Sequence, residues 1–238
     1  MKRKLHFLLA VSIGLTTSVG WLHAEGINSL TTLKAAIDGA KAGETIALTG
    51  DIEDANAESG SAITISKSLT LDGKGFTISG TALQNIMVVD GTSGTVELKD
   101  LTLKNDRKDA TPADGKGYND LTVYQRGTDA GLLVTLNNVR LLGNGGIGLV
   151  NNSSNVNATG LVVGNHVWGS VNLENKKENT TPVFTLDKTS QLNDPLQVWA
   201  DYKEKEDWFN VEGWKGYHYF YKIEDSKYVW KKTAWTSK

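Results

Sequence analysis

A unit of two short strands recurs three times in the middle of the chain, and this repetition restricts the fold more than any other feature. Each copy has two segments of alternating apolar and polar residues, separated by a joint of two polar residues. The copies start at Val96, Val134 and Val156, and their joints end on Asp100, Asn138 and Gly160. Asp, Asn and Gly tolerate a left-handed backbone best, whereas hairpin joints favour Asn-Gly or Asp-Gly. The recurrence therefore predicts a solenoid of stacked coils.

A looser copy precedes these three, with Ile63-Thr64-Ile65 as its first strand and Leu69-Thr70-Leu71 as its second. In the later copies the second strands start 38 and then 22 residues apart, at Leu101, Val139 and Leu161. If 22 residues make a bare coil, the longer step carries an insertion. Residues 105–120 are rich in charge and glycine and include a proline, so we expect this insertion to be a surface loop.

The first 24 residues have the layout of a secretory signal peptide. Lys2, Arg3 and Lys4 precede a largely apolar stretch from Leu5 to Val19, and Ala24 provides a small residue before the expected cleavage site. We therefore expect a protein that is secreted, periplasmic or on the cell surface. The apolar stretch is too short for a membrane span, and no later stretch is long enough. The chain has no cysteine, which excludes disulfides and thiolate sites.

Charge and length bound the partners and the domain count. Cleavage after Ala24 removes three positive charges, so the formal net charge changes from −2 to −5. An acidic exported protein is a poor candidate for binding nucleic acid or anionic membranes, which need basic patches. We expect one elongated domain, with a solenoid and its N-terminal cap over residues 25–190 and an aromatic-rich cap over residues 191–238.

Both ends of the predicted solenoid carry distinct sequence. A helix is predicted within residues 27–44, because Leu30, Leu33 and Ile37 fall on one face and Thr31 or Thr32 could cap its start. Such a helix would cover the apolar end of the first coil. Residues 183–186 are predicted to be the last solenoid strand. The tail beyond residue 198 holds five of the seven tryptophans and five of the seven tyrosines, and residues 217–221 and 228–230 predict a β-hairpin that closes the C-terminal end.

The stretch Leu69–Gly80, which reads LTLDGKGFTISG, is the most specific in the chain. Together with the helix, the next strand and the Gly-Asn endings of the later copies, it resembles the pectate-lyase-like superfamily, and in particular its small exported adhesive domains. The resemblance covers residues 28–175 and implies three parallel sheets around an oblong core, with ligands on one sheet face and its flanking loops. The predicted fold is therefore all-β, a right-handed parallel β-helix with an N-terminal capping helix and an aromatic C-terminal β cap.

The aromatic tail is the first candidate binding site. Trp208, Trp214, Trp230 and Trp235 could form a platform for sugar rings, because exported proteins stack pyranoses on Trp and Tyr faces. The alternative is that these rings fill the open end of the solenoid and hide the last coil's apolar face.

The charged loop and the following strand form the second candidate site. Within the superfamily, pectate lyases use carboxylates that hold calcium and a basic residue, commonly arginine, that abstracts a proton. The residues that would do this are Asp106, Asp109 and Asp129 for calcium and Arg107 or Arg126 as base. We expect the loop residues among them, Asp106, Arg107 and Asp109, to face Arg126, Asp129 and the candidate ligand-binding residue Tyr124 across a coil. The lyase and polygalacturonase signatures of the superfamily are missing around them, so solvated loop charges are the alternative.

Recurrent asparagines and a histidine complete the candidates. Asn105, Asn144 and Asn165 follow the second strand of each copy, which predicts a structural asparagine ladder. His166 lacks a Ser or Asp partner at equivalent positions of the neighbouring copies, so it is interpreted as a packed or surface residue. Two histidines in the mature chain and no cysteine make a zinc site improbable.

The sequence thus favours a non-catalytic, bacterial-type exported protein that binds polysaccharide or a cell-surface glycan as an adhesive module, without a cofactor. The alternative is a small calcium-dependent lyase of acidic glycans, which needs the three carboxylates beside an arginine on one face. A structural envelope protein is a further alternative.

Overall fold

The computed structural model describes most of the chain from Gly26 onward. The described residues are 26–91, 93–107, 118–126, 131–164, 166–167, 169–174, 183–192, 197–201, 209–211, 215–224 and 227–236. The predicted signal peptide lies outside them. Within these residues the protein is an all-β fold with parallel sheets and one helix.

The helix, α1, spans Leu30–Gly39. Its cap is Ser29, because the Ser29 hydroxyl accepts a hydrogen bond from the Thr32 backbone N–H and the Thr32 hydroxyl accepts one from the Ser29 N–H, both at 3.2 Å. This reciprocal pair is a capping box. The structure confirms the predicted helix but not its predicted cap. Thr31 or Thr32 was expected to cap the helix, whereas Ser29 is the N-cap and Thr32 is its partner in the capping box.

One face of α1 joins the apolar core. Leu33 and Ile37 are buried, as the helical spacing predicted, and Leu30 is partly buried against the same core. At the other end of α1, the Lys67 ammonium donates to the carbonyl oxygens of Asp38 and Ala40. Since these carbonyls have no partner further along the helix, Lys67 ties the end of α1 to the first turn of the sheets.

Eighteen strands follow α1 in the described residues. They are β1 (Thr45–Ala47), β2 (Ile63–Ile65), β3 (Leu69–Asp72), β4 (Thr77–Gly80), β5 (Asn85–Gly91), β6 (Ser93–Asn105), β7 (Asn119–Gln125), β8 (Gly131–Leu141), β9 (Ile147–Asn152), β10 (Asn155–Thr159), β11 (Val162–Val163), β12 (Gly169–Glu174), β13 (Val183–Leu186), β14 (Gln191–Leu192), β15 (Gln197–Asp201), β16 (Phe209–Val211), β17 (Lys215–Glu224) and β18 (Lys227–Thr236).

These strands form two sheets that the chain visits in turn. The ten-stranded sheet has the order β1-β3-β6-β8-β10-β13-β16, with β4, β11 and β14 paired beside this path. The eight-stranded sheet has the order β2-β5-β7-β9-β12-β15-β17-β18. The pairs along both sheets are parallel apart from β17 and β18. Successive strands of each sheet therefore come from successive passes of the chain, which makes the fold solenoid-like.

The joints of the repeated unit bend the chain without reversing it. Asp100, Asn138 and Gly160 have φ of 48°, 55° and 62°, so the predicted left-handed residues are confirmed. The strands on both sides of each joint pair in parallel with the next pass, and the Asn138 amide donates to the Asp100 carboxylate at 2.7 Å. The joints are therefore stacked corners and not hairpin turns.

The register corrects the position of the looser first copy. Leu69 pairs with Val96 and Leu71 with Leu98, so β3 matches the first strand of the repeated unit. Its second strand is β4, which pairs with the second half of β6. The segment Ile63–Ile65 belongs to the eight-stranded sheet, where it pairs with β5. The sequence pattern was wrong by one strand because residues 73–76 lengthen the corner after β3.

The apolar core is continuous from the segment before α1 to β14. Its buried residues form a single cluster from Ile27 to Leu192, and Phe184 is the largest of the side chains with almost no exposed surface. Parallel pairing also continues past β13, since β13 pairs with β16 and β15 with β17. The prediction that residues 183–186 are the last solenoid strand was therefore wrong. The predicted hairpin is confirmed as β17 and β18, and these two strands extend the eight-stranded sheet.

Asp187 connects the turn after β13 to the corner of the preceding pass. Burial opposes its ionisation, but its carboxylate accepts hydrogen bonds from the hydroxyls of Thr189 and Ser190, at 2.6 and 2.7 Å, and from the Gly160 N–H at 3.1 Å. These hydrogen bonds outweigh burial and lower the pKa of Asp187 to about 2. An ionised Asp187 therefore stabilises the contact between the two passes.

We expect Asp187→Asn to destabilise the protein at neutral pH and to weaken its response to acid. Because the folded pKa lies below the ordinary value of about 3.9, the stabilisation is complete above about pH 4 and is lost as the pH falls through about 2. Urea unfolding of both proteins over this range should give free energies that converge at low pH. A difference that is constant with pH would contradict the role of the charge.

Candidate functional site

The eight-stranded sheet has two chemically different faces. Leu121, Val123, Leu149, Val171 and Leu173 occupy one face and have no exposed surface, so this is the core face. Two alternate residues of β7, Thr122 and Tyr124, are partly exposed on the opposite face. We call this opposite side the second face, and it holds the candidate ligand-binding residue Tyr124.

Arg126 lies at the end of β7 beside Tyr124. Its guanidinium forms a bidentate pair with Asp90, with both nitrogen–oxygen distances 2.5 Å, and lies 5.6 Å from the centre of the Tyr124 ring. The hydrogen bonds and charge of Asp90 raise the pKa of Arg126. A base must be unprotonated to accept a proton, so these contacts oppose the role of lyase base that the resemblance implied for Arg126.

Asp106 and Arg107 lie before β7, at the opposite end from Arg126. The seven residues of β7 span about 20 Å, so the prediction that these groups face Tyr124 and Arg126 across a coil was wrong. The Arg107 guanidinium is 5.0 Å from the centre of the Tyr118 ring, and Asp106 is 3.5 Å from the Lys104 ammonium. The structure therefore does not bring the two arginines together.

The remaining calcium candidates, Asp109 and Asp129, lie outside the described residues. Within the described part of the chain, no group of three or more His, Cys, Asp or Glu side chains is arranged to hold a metal ion. The one calcium candidate that is described, Asp106, accepts a hydrogen bond from the Asn144 amide at 3.3 Å in addition to its contact with Lys104.

Asparagine ladders exist, but they involve other residues than the sequence predicted. The Asn105 amide donates to the carbonyl oxygens of Ala82 and Asn119, whereas the Asn144 amide donates to Asp106, so the two side chains do not bond to each other. Asn165 lies outside the described residues. The ladder lies instead at the start of β5 and β7, where Asn119 donates to Asn85 at 3.1 Å and Asn85 donates to Ser61 at 2.8 Å.

A buried polar cluster that was not predicted from the sequence is centred on Asp120. Its carboxylate accepts hydrogen bonds from the backbone N–H groups of Asn105 at 2.7 Å and Gly143 at 2.8 Å, and it lies 3.0 Å from Nε2 of His166. Asn105, Gly143 and His166 belong to three successive passes of the chain. A single carboxylate therefore holds three passes together.

His166 faces acceptors on both sides. Its Nδ1 lies 3.2 Å from the carbonyl oxygen of Gly164, and its Nε2 lies 3.0 Å from the Asp120 carboxylate. The side chains of His166 and Asp120 have no exposed surface. Because a substrate does not reach a pair that is buried in this way, the geometry supports the structural interpretation of His166 and corrects the prediction that it lacks an acidic partner.

The backbone register aligns several aromatic positions near the C-terminus with the second face. The aligned residues of five successive strands are Thr122, Val150, Asn172, Trp199 and Tyr219. Because residues alternate between the faces of a strand, Tyr217 and Tyr221 share this face with Tyr219. In β18, Trp230 aligns with Tyr221 and Tyr228 with Ile223, which puts both on the same face. We call this set the aromatic face: Trp199, Tyr217, Tyr219, Tyr221, Tyr228 and Trp230.

Two of the predicted ligand-binding residues, Tyr124 and Trp230, thus share one face of the eight-stranded sheet, but they do not form one site. Five strand spacings separate Tyr124 in β7 from Trp230 in β18, or about 24 Å. Trp208 and Trp214 lie outside the described residues. Trp235 aligns with Gly216 and falls on the core face of β18. The aromatic face is therefore a set of register positions near the β18 edge, and part of it was visible in the sequence as alternate tyrosines at 217, 219 and 221.

Comparison with known proteins adds no relative. The chain matches no protein-family model, and neither the curated proteins nor the solved structures contain a significant match. Among the described residues, no helix has the length and apolar character needed to cross a membrane.

Proposed function

We propose that this chain is an exported right-handed parallel β-helix that binds carbohydrate through its aromatic face, as a non-catalytic adhesive module. The alternation of the chain between two parallel sheets and the left-handed corner residues support the β-helix. Right-handed winding is expected because crossovers between parallel strands have this hand almost without exception. The signal-peptide pattern of residues 1–24 supports a location outside the cytoplasm.

The observation that carries the binding proposal is the position of the aromatic residues relative to the core. If the rings served only to fill the end of the solenoid, we would expect them at core-face positions. Those positions hold Val198 and Ala200 in β15 and His218 and Phe220 in β17, whereas the three alternate tyrosines of β17 share the second face. Aromatic residues that recur at alternate positions of one sheet are suited to bind the apolar faces of sugars.

The size of the aromatic face also suits a glycan. β15, β17 and β18 are adjacent, so the cluster spans two strand spacings, or about 10 Å. Tyr217 and Tyr221 are four residues apart in β17, which adds about 13 Å in the other direction. Such an area accommodates more than one sugar ring. The occupied guanidinium of Arg126 supports a binding role over a lyase.

Trp230 and Trp235 provide a matched test, because both are tryptophans of β18 on opposite faces. We expect Trp230→Ala to weaken binding of the mature protein to a panel of soluble and insoluble polysaccharides at least tenfold, the effect of losing a tryptophan that dominates an interface. Trp235→Ala should bind like the parent chain when far-ultraviolet circular dichroism shows that both variants are folded. Equal losses in the two variants, or no binding by the parent chain to the whole panel, would contradict the proposal.

A further inference from the structure

The connection between β8 and β9 contains the only Asn-Gly pair of the sequence, Asn144-Gly145. An asparagine before glycine loses its side-chain amide most easily, because glycine has no Cβ to hinder the attack of its backbone nitrogen on the asparagine Cγ. Asn144 is exposed, whereas Gly145 is buried. The reacting side chain is therefore open to water, while the backbone beside it is packed within the fold.

The backbone N–H groups around this pair are hydrogen-bonded with one exception. Those of Leu142, Gly143, Asn144 and Gly146 donate to acceptors earlier in the chain, at distances between 2.7 and 3.0 Å. Among the described residues, the N–H of Gly145 has no acceptor. A buried backbone N–H without an acceptor is rare in folded proteins. The nitrogen that would attack the Asn144 side chain is thus the one that no hydrogen bond holds in place.

From the exposed amide of Asn144 and the unbonded N–H of Gly145, we infer that Asn144 is a site of spontaneous deamidation. The Gly145 nitrogen attacks Cγ of Asn144 and forms a five-membered succinimide. The bond from Cγ to Nδ2 breaks, and Nδ2 leaves as ammonia with the proton that the Gly145 nitrogen gives up through water. A water molecule then opens the succinimide at either carbonyl carbon, which yields aspartate or isoaspartate.

The product places a second carboxylate beside Asp106. In the unmodified chain the Asn144 amide donates to the Asp106 carboxylate at 3.3 Å, and this contact joins the β8–β9 connection to the residue that follows β6. Deamidation removes the donor and puts a negative charge in its place. Because like charges repel, a contact that links two passes becomes one that separates them.

Isoaspartate also changes the backbone, which then runs through the former side-chain carbon and is one carbon longer. The lengthened stretch lies between two fixed points, since the Asn144 N–H donates to the Asn105 carbonyl at 2.9 Å and the Gly146 N–H to the Tyr118 carbonyl at 2.7 Å. There is little room for it, because even a Cβ on Gly145 would overlap the Tyr118 carbonyl oxygen. We therefore expect isoaspartate to loosen the β8–β9 connection.

Mass spectrometry of peptides from the mature protein, kept folded at mildly alkaline pH, tests the inference. We expect the Asn144 peptide to convert with time into two separable products, each with the mass of an acid in place of the amide. An isoaspartate-specific methyltransferase should modify one of them. Asn138 and Asn157 are exposed and precede valine and alanine, so they are internal controls that should stay unmodified. Asn144→Gln keeps the amide on a longer side chain and should give no product.

Two results would overturn the inference. One is conversion of Asn144 no faster than that of Asn138 and Asn157, and the other is conversion that appears only when the chain is unfolded in urea.

The effect on the fold is measured by urea unfolding after the same incubation. The midpoint should fall for the parent protein and not for Asn144→Gln. Fresh Asn144→Asp carries the charge without the longer backbone, so it should lie between the fresh and the incubated parent. An unchanged midpoint of a fully converted parent would contradict the expected loosening.

Discussion

Replacing Asp120 by alanine is expected to lower the free energy of unfolding by about 3–5 kcal/mol, the range for a buried pair that loses one member. The substitution leaves the N–H groups of Asn105 and Gly143 without their acceptor and removes the anion beside His166. Each buried donor that loses its partner costs about 1–3 kcal/mol. Urea unfolding followed by circular dichroism measures the loss.

Asp106→Ala is the matched control for this experiment. Asp106 is the next residue after Asn105, one of the donors to Asp120, but its own partners are a half-exposed lysine at 3.5 Å and an exposed amide at 3.3 Å. Exposed ion pairs contribute about 0–1 kcal/mol, so the control should remain close to the parent protein. Asp120→Asn should lie between the two, since its side-chain oxygen still accepts from one backbone N–H. Equal stability of the two alanine variants would show that Asp120 does not hold the passes together.

The corners of the solenoid could be predicted from the sequence because they are local. The residue types at positions 100, 138 and 160 report the backbone conformation of those positions themselves. The same holds for α1, whose apolar spacing and capping residues all lie within twelve residues. The cap was assigned to the wrong residue because three neighbouring hydroxyl residues compete for it, and only the geometry decides between them.

The Asp120 cluster could not be predicted, because its members meet only when the passes are stacked. Asp120 and His166 are 46 residues apart, and successive passes differ in length. The register pairs Val96 with Val134 and Val134 with Val156, steps of 38 and 22 residues. When insertions vary in this way, no fixed spacing tells which polar residues become neighbours.

The candidate site shows the same division between local and distant information. The alternation of tyrosines in residues 217–221 is visible in the sequence, but the face that they share with Tyr124 follows from four intermediate strand pairings. The positions of the two candidate bases of the lyase alternative also depend on distant information. Arg107 and Arg126 are close in sequence, but a whole strand lies between them.

The second large effect is expected at Phe184, in β13. The side chain has no exposed surface, and the register aligns Phe184 with Val156 of the previous pass and Phe209 of the next. Phe184→Ala should lower the free energy of unfolding by about 3–5 kcal/mol, because the lost apolar burial is joined by the cost of the cavity. This result would place β13 inside the continuous core, in contrast to the sequence prediction that it ends the solenoid.

Thr185→Ala is the control, since Thr185 is the next residue of β13, on the opposite face and partly exposed. We expect a change within about 0.5 kcal/mol, as for surface substitutions. Unfolding of each variant would be followed both by circular dichroism and by tryptophan fluorescence, which reports mainly on the tail. We expect the two signals to change in the same transition. If Phe184→Ala shifts the fluorescence transition alone, the last passes unfold as a separate unit, because coils contact only their neighbours. If the fluorescence and circular dichroism transitions coincide and shift together, one core joins the helix-capped end to the aromatic face.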